Sequence, residues 1–331
     1  MKKKWLVIMM TLVIAVVAAA CGEKNTASNG SSTEQTTGST ATTTPAAEQT
    51  ELEIKHKLGT TKVKLNPQKV VVFDFGALDT LDKLGVPVAG VPRGGNVPGY
   101  LAKYNSKEIE NVGGLKEPDF EKINDMKPDL ILISGRQSDA YKELSAIAPT
   151  VYVGVDTKNY MVSFKENVKI LSKIFGKEAE ADKELAAIDD SIKALNEKAT
   201  ASGKNALIIL ANEGKISAYG PKSRFGILHD VFGMTAVDPK IEVSTHGQSV
   251  SFEYIAEKNP DYLFVVDRGA VVKSEAGASS VKDVVENALV KNTKASKDGN
   301  IVYLNPEFWY LSGGGLESVA EMVKEVSKSL K

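Results

Sequence analysis

The chain has 331 residues, 42% of them hydrophobic and 25% charged, with a formal net charge of −1. That composition is ordinary for a globular protein and excludes a collagen-like, coiled-coil or mostly disordered chain; the length suggests two domains of roughly 150 residues each. Near-neutral charge gives no electrostatic reason to bind nucleic acid, one cysteine excludes a disulfide framework or a multi-cysteine metal site, and three histidines leave little room for a histidine-rich centre.

Lys2, Lys3 and Lys4 precede an apolar run from Trp5 to Ala20 that only Thr11 interrupts. Its sixteen residues fall short of the roughly 20 that a membrane-spanning helix needs. A basic start, a short apolar core and the small residues Ala18, Ala19 and Ala20 read as a secretory signal peptide over 1–20. The signal leads into Cys21 and resembles a bacterial lipobox, in which the cysteine is diacylated and becomes the mature N-terminus; Ala18 stands where leucine is usual. Cleavage removes three lysines and leaves 38 basic against 42 acidic residues, a net charge of −4. Residues 22–50 contain 13 Ser or Thr among 29 and no large apolar side chain. Such a stretch cannot offset its ordering entropy by burial, so 21–51 reads as a lipidated cysteine followed by a flexible tether.

From residue 52 short apolar runs alternate with amphipathic stretches. Val70–Phe73, Leu130–Ile133, Val151–Val155, Ala206–Leu210, Tyr262–Val266 and Ile301–Leu304 are predicted strands, and Leu78–Leu84 a helix ending at Gly85. The alternation indicates an α/β fold with mostly parallel central sheets flanked by helices. Met161, Phe164, Val168, Leu171 and Phe175 mark one face of a long helix over 160–175. A second helix is predicted from Lys177 to about Ala199, and a last one from Leu316, after Gly313-Gly314-Gly315. The triple glycine admits a phosphate cradle or a plain loop-to-helix turn, and its spacing matches no nucleotide fingerprint.

An internal repeat pairs residues 120–136 (FEKINDMKPDLILISGR) with 252–268 (FEYIAEKNPDYLFVVDR), without a gap and with six identities in 17 positions. Each copy reads as a short helix, a Pro-Asp turn, a buried strand and an arginine at the strand's C-terminal end. Two pseudo-symmetric lobes follow: an N-terminal lobe over 52–158, one rigid connecting helix over 159–176 and a C-terminal lobe over 177–331.

No nucleophile elbow, metalloprotease helix, Walker A motif or paired nucleophile and base is present, so nothing supports catalysis. The mature chain has only Arg93, Arg136, Arg224 and Arg268. Ligands of open α/β sheets bind beyond the carboxyl ends of strands, which aims Arg136 and Arg268 into a shared cleft from opposite lobes. Arg224, in GPKSRFG, precedes a helix of the second lobe. Three guanidiniums there would make a permanently positive pocket for an anionic, oxygen-rich, partly aromatic ligand; the competing reading is ion pairing on the surface or between lobes. His246, in the polar loop STHGQS, and Tyr310, in FWYL, could complete the coordination of ferric iron, which favours phenolate and catecholate oxygen; exposure and packing are the plainer readings. His56 and His229 have no such case. Glu121 and Glu253 are repeat-related acids near helix starts, suited either to the helix dipole or to docking on a two-fold partner.

On VVVFDFGALDTLDKLG (70–85), EPDFEKINDMKPDLILISGRQS (117–138), APTVYVGVD (148–156), GPKSRFGILHDVFG (220–233), STHGQSVSFEYIAEKNPDYLFVVDRG (244–269) and WYLSGGGLES (309–318), the chain resembles the siderophore-binding lipoproteins of bacterial ATP-driven iron importers, in the group whose lobes are joined by one rigid helix. It is most similar to the branch that binds catecholates such as petrobactin in Gram-positive bacteria. The resemblance implies a monomeric receptor, not an enzyme, anchored by lipid on the extracellular face of the cell membrane. Its cargo would be a ferric catecholate-type siderophore, with no intrinsic cofactor, and its partner an ABC permease dimer driven by a cytoplasmic ATPase. It implies that Arg136, Arg224 and Arg268 hold the anionic complex, that His246 and Tyr310 complete the iron shell of a tetradentate siderophore, and that Glu121 and Glu253 seat the lobes on the permease. Phe308 stands where some relatives carry another tyrosine. Haem, a hydroxamate or a corrinoid remains open as cargo, as does a surface enzyme or adhesin on the same scaffold.

Overall fold

The computed structural model describes residues 50–93, 97–272 and 280–331. The expected signal peptide, Cys21 and all of the tether except Thr50 and Glu51 lie outside the described residues.

The described chain opens with a hairpin that the sequence reading did not anticipate. β1 (Glu51–His56) turns Leu52 and Ile54 inward and Glu51, Glu53 and Lys55 outward, and pairs antiparallel with β2 (Gly59–Lys64). The rest of the first lobe follows, with β3 (Val70–Val72), α1 (Phe75–Lys83), β4 (Gly90–Val91), β5 (Glu110–Asn111), α2 (Phe120–Met126), β6 (Leu130–Ile133), α3 (Tyr141–Ile147) and β7 (Thr150–Tyr152). Its strands form an all-parallel sheet in the order β5-β4-β3-β6-β7. Continuous apolar runs such as Leu130–Ile133 suit it, because helices cover both faces of a parallel sheet.

α4 (Tyr160–Phe175) carries the chain from the first sheet to the second and ends at Gly176, whose φ of 62° is the left-handed cap that glycine favours. α5 (Glu178–Ser202) opens the second lobe. That lobe contains β8 (Asn205–Asn212), β9 (Lys215–Tyr219), α6 (Ile227–Asp230), β10 (Thr235–Ala236), β11 (Gln248–Val250), α7 (Phe252–Lys258), β12 (Tyr262–Asp267), α8 (Val281–Val285), α9 (Lys294–Lys297), β13 (Ile301–Leu304) and α10 (Leu316–Ser329). The sheet runs β11-β9-β8-β12-β13, with β10 also against β8. β9 and β11 are antiparallel to their neighbours, so this sheet is mixed where the first is not.

The internal repeat is a structural repeat. α2 and α7 start on the caps Asp119 and Ser251 and end on Lys127 and Asn259, both left-handed with φ of 49° and 46°. The Pro-Asp turn has a defined purpose in each lobe. Asp129 accepts hydrogen bonds from the backbone N–H groups of Gln68 (3.0 Å) and Lys69 (2.9 Å), just before β3, and Asp261 accepts one from Asn205 (3.1 Å) at the start of β8.

The lobes share one core. Val70, Val72 and Leu132 of the first sheet belong to the same buried cluster as Ile208, Phe264 and Val266 of the second, joined through α1, α4, α5 and α10. The alternate residues on each sheet's other face form separate clusters.

A polar contact accompanies this shared core. The first free N–H groups of α10 point at Asp79 of α1: Glu317 N–H reaches Oδ1 and Ser318 N–H reaches Oδ2, both at 2.7 Å. The triple glycine is thus a loop-to-helix turn whose helix N-terminus already holds a carboxylate. A Cβ on Gly315 would lie 2.3 Å from Asp79 Cγ, which excludes a side chain there. Burial pushes the Asp79 carboxyl up from its ordinary 3.8 to about 6, against the pull of hydrogen bonds from Glu317, Ser318 and Tyr100. A carboxyl raised on folding contributes stability that is complete below its unfolded value and lost as pH rises through its folded one. Relative to Asp79→Asn, the wild-type chain is therefore expected to gain stability as pH is lowered from about 7 to about 4. Urea unfolding across that range checks this, and parallel pH profiles for the two proteins would refute it.

Candidate functional site

Three arginines from both lobes meet on one residue. Arg136 lies in the 3-10 turn Gly135–Ala140 that follows β6. The turn is pinned by the buried Gln137, whose Oε1 accepts the Ser134 N–H at 3.0 Å and whose amide donates to the Leu115 carbonyl. Arg224 sits in the turn before α6, between the buried Ser223 and Phe225. Arg268 immediately follows β12, where its N–H bonds the Ala211 carbonyl at 3.0 Å.

Tyr310 lies in a single π-helical turn, Glu307–Leu311, a geometry often found at functional sites. Its neighbour Trp309 is the anchor: the indole is buried, donates to Glu325 Oε2 at 2.8 Å and packs against Phe225 and Phe232. Tyr310 is left half-exposed. Its carbonyl accepts from Arg136 Nη2 at 3.0 Å and Arg224 Nη2 at 2.7 Å, and its hydroxyl accepts from Arg268 Nε at 3.0 Å. The Arg224 guanidinium stands 4.1 Å from the centre of the Tyr310 ring, within cation–π range.

The acceptors around the cluster are neutral. Arg268 Nη1 donates to Asn212 Oδ1 at 2.7 Å, and among the described residues no carboxylate is within ion-pairing distance of the three arginines. The ion-pairing alternative for them is thereby set aside. Burial, together with the charge of Arg136, lowers the pKa of Arg224. Burial alone would raise that of Tyr310, but the Arg268 hydrogen bond and the charges of Arg224, Arg268 and Arg136 outweigh it, so the phenol falls below its ordinary 10.0. The site can therefore bind an anion rich in oxygen and offer it a phenol biased toward phenolate.

The remaining sequence candidates make no hydrogen bond to the cluster among the described residues. His246 is exposed in the loop before β11; its N–H bonds Ser244 Oγ at 3.1 Å, and its ring has no hydrogen-bond partner among the described residues. The loop lies tightly on β9 because Gly247 adopts φ of 75° against the Tyr219 ring, where a Cβ would approach to 2.7 Å. Glu121 and Glu253 are exposed in the first turns of α2 and α7. His229 packs, bonding the Met234 carbonyl at 2.9 Å, and Arg93 donates to the carbonyls of Asn105 and Ile109. Sequence reasoning missed Asn212 and Gln137. Asn212 was within reach of the strand-end rule: the β8–β12 register pairs Ala211 with Asp267, which sets Asn212 beside Arg268.

Two α/β lobes whose arginines converge on one tyrosine turn are the architecture of a solute-binding protein of the kind that serves ABC importers. The chain belongs to the periplasmic binding protein family, which residues 70–308 match. It is 54% identical over 288 residues, 86% of this chain and 90% of the relative, to the petrobactin-binding protein YclQ of Bacillus subtilis. The crystal structure of YclQ superposes with a TM-score of 0.82 at 55% identity, covering 85% of this chain and 99% of that one. The periplasmic catecholate-siderophore binding protein VctP of Vibrio cholerae gives a TM-score of 0.80 at 36% identity, covering 84% and 99%. The ferric-anguibactin-binding protein FatB of Vibrio anguillarum is 33% identical over 85% of this chain and 88% of its own length. The chain is a binding protein of this family and not an enzyme.

The electrostatics of the cluster carry a spectroscopic expectation. Tyr310 should ionise at lower pH than the other tyrosines. The earliest tyrosinate step of a spectrophotometric titration should disappear in Tyr310→Phe, and an unaltered first step would contradict the arginine effect.

Proposed function

We propose that this chain captures a ferric catecholate-type siderophore, petrobactin or a similar bis-catecholate, outside the cell and delivers it to an ABC permease. The observation that carries this reading is the convergence of three guanidiniums on neutral acceptors. Ferric iron held by catecholates is anionic, from about −1 with two to about −3 with three, and the arginines offset such a charge where partial desolvation makes charge-assisted hydrogen bonds strong. The likeness to YclQ and VctP supports the ligand class.

In this reading Arg136, Arg224 and Arg268 hold the anionic complex. Tyr310 supplies a phenolate and His246 an imidazole to ferric iron whose siderophore leaves coordination positions open. The exposed pair Glu121 and Glu253, one on each repeat helix, seats the lobes on a permease dimer coupled to a cytoplasmic ATPase. Residues 1–20 are a signal peptide, Cys21 carries the lipid that holds a monomeric receptor on the outer face of a Gram-positive cell membrane, and the residues after it are the tether, which ends before β1, where Glu51 pairs with Lys64. The lobes are then 52–158 and 177–331, with 159–176 as the connecting helix.

Removing the charge at Arg136 or Arg268 is expected to weaken binding of ferric petrobactin by about 2–4 kcal/mol, because a partly buried charged ligand loses its partner. Tryptophan-quenching titration measures this, and undiminished affinity in both variants would defeat the cleft assignment. Reversing both acids, Glu121→Lys with Glu253→Lys, should leave that affinity intact and abolish iron uptake by cells; normal uptake would remove the docking role.

A further inference from the structure

The turn that carries Tyr310 follows the last strand of the second lobe, yet contacts to the first lobe bracket it on both sides. At its start, Glu307 Oε1 accepts the Gly99 N–H at 2.8 Å, and Phe308 packs on Tyr100 with ring centroids 4.9 Å apart. After it, Ser312 Oγ lies 2.7 Å from the Tyr100 hydroxyl, which also lies 3.0 Å from Asp79 Oδ2. Asp79 then receives the N-terminus of α10 on both carboxylate oxygens at 2.7 Å. Asp79 is 1% exposed and stands between Leu78 and Thr80, both also buried. A carboxylate in that position is costly, and buried charges are best attested where they fix a register rather than add stability. The approach is tight from both helices: a Cβ on Gly76 would come within 3.0 Å of the Ser312 carbonyl, as one on Gly315 would meet Asp79.

We propose that Asp79, acting through Tyr100 and the N-terminus of α10, is a positioning residue. It clasps the two lobes at a fixed spacing and so holds the Tyr310 turn where Arg136 of the first lobe and Arg224 and Arg268 of the second all reach it. Asp79 itself does not touch the ligand. The functional part of this inference rests on the siderophore reading above; the mechanical part does not.

Spin labels on Asp125→Cys and Glu257→Cys, repeat-equivalent exposed positions on α2 and α7, in the full chain bearing Cys21→Ser, report the lobe-to-lobe distance by pulsed electron resonance. Asp79→Asn, and separately Tyr100→Phe, which keeps the ring contact with Phe308, should broaden that distribution relative to the parent. Both should also weaken ferric petrobactin binding about tenfold, the range of a typical coupling between distant groups, while thermal unfolding stays cooperative. An unchanged distance distribution overturns the proposal, and so does an unchanged affinity. If Asp79→Asn fails to fold, Tyr100→Phe decides alone. If the parent chain does not bind ferric petrobactin, the ligand reading falls and the distance distribution alone decides whether the clasp exists.

Discussion

Like charges brought together with no counter-ion among the described residues are the constraint around which this molecule is arranged. Arg136 and Arg224 donate to the same carbonyl oxygen, so their guanidiniums are near neighbours. Two unit charges about 5 Å apart at an effective dielectric near 20 repel by about 3 kcal/mol. Among the described residues no carboxylate relieves this; dipoles orient the charges instead, the Tyr310 carbonyl and hydroxyl and the Asn212 amide. Dipoles orient the guanidiniums without neutralising them. The net charge remains available, and an oxyanion entering the cleft meets donors already aimed.

Such an arrangement needs a stiff frame, because a repelling cluster would otherwise spread. The chain crosses between the sheets through α4, but covalent passage is not the whole of the connection. Inward residues of both sheets belong to a single buried cluster with α1, α4, α5 and α10, and Asp79 ties α1 to the first N–H groups of α10. Above pH of about 6 the Asp79 carboxyl is ionised at a desolvation penalty, so its value there lies in geometry rather than in net stability. Interlocked cores of this kind resist hinge motion, and large closure around a ligand is not the natural movement of this frame.

The outline was legible because its signals are periodic. The parallel sheets, the long helix ending at Gly176 and the duplicated helix–turn–strand unit all leave patterns of period two, 3.6 or 132 residues in the chain. Arg136 and Arg268 were legible for the same reason, as scarce residues at matching strand ends. Features that depend on a single tertiary contact were not. The hairpin β1–β2 precedes the repeat, and β9 runs against the direction inferred from the other strands. Asp79 lies among buried residues of an amphipathic helix and shows no mark of its partner more than two hundred residues away. The central role of Tyr310 belongs partly to its backbone carbonyl, which no side-chain pattern can announce. His246 was legible as a candidate; its loop stands at the surface, set against the Tyr219 ring through Gly247.

The choice of acceptor at the centre bears on selectivity under the proposed function. A peptide carbonyl is a neutral acceptor, and a catecholate oxygen carrying charge is a stronger one, by roughly a factor of two in hydrogen-bond strength. An anionic ferric complex can therefore take over the guanidinium donors at a net gain, whereas a neutral hydroxamate complex offers acceptors little better than the carbonyl it must displace. Tyr310 sharpens the contrast. Its ring faces Arg224 and its hydroxyl faces Arg268, so the charges that attract the siderophore also favour the phenolate form that ferric iron prefers. Discrimination then arises from the resting state of the site, in which each of the three guanidiniums is oriented by a partner weaker than the intended ligand and comparable to the wrong one.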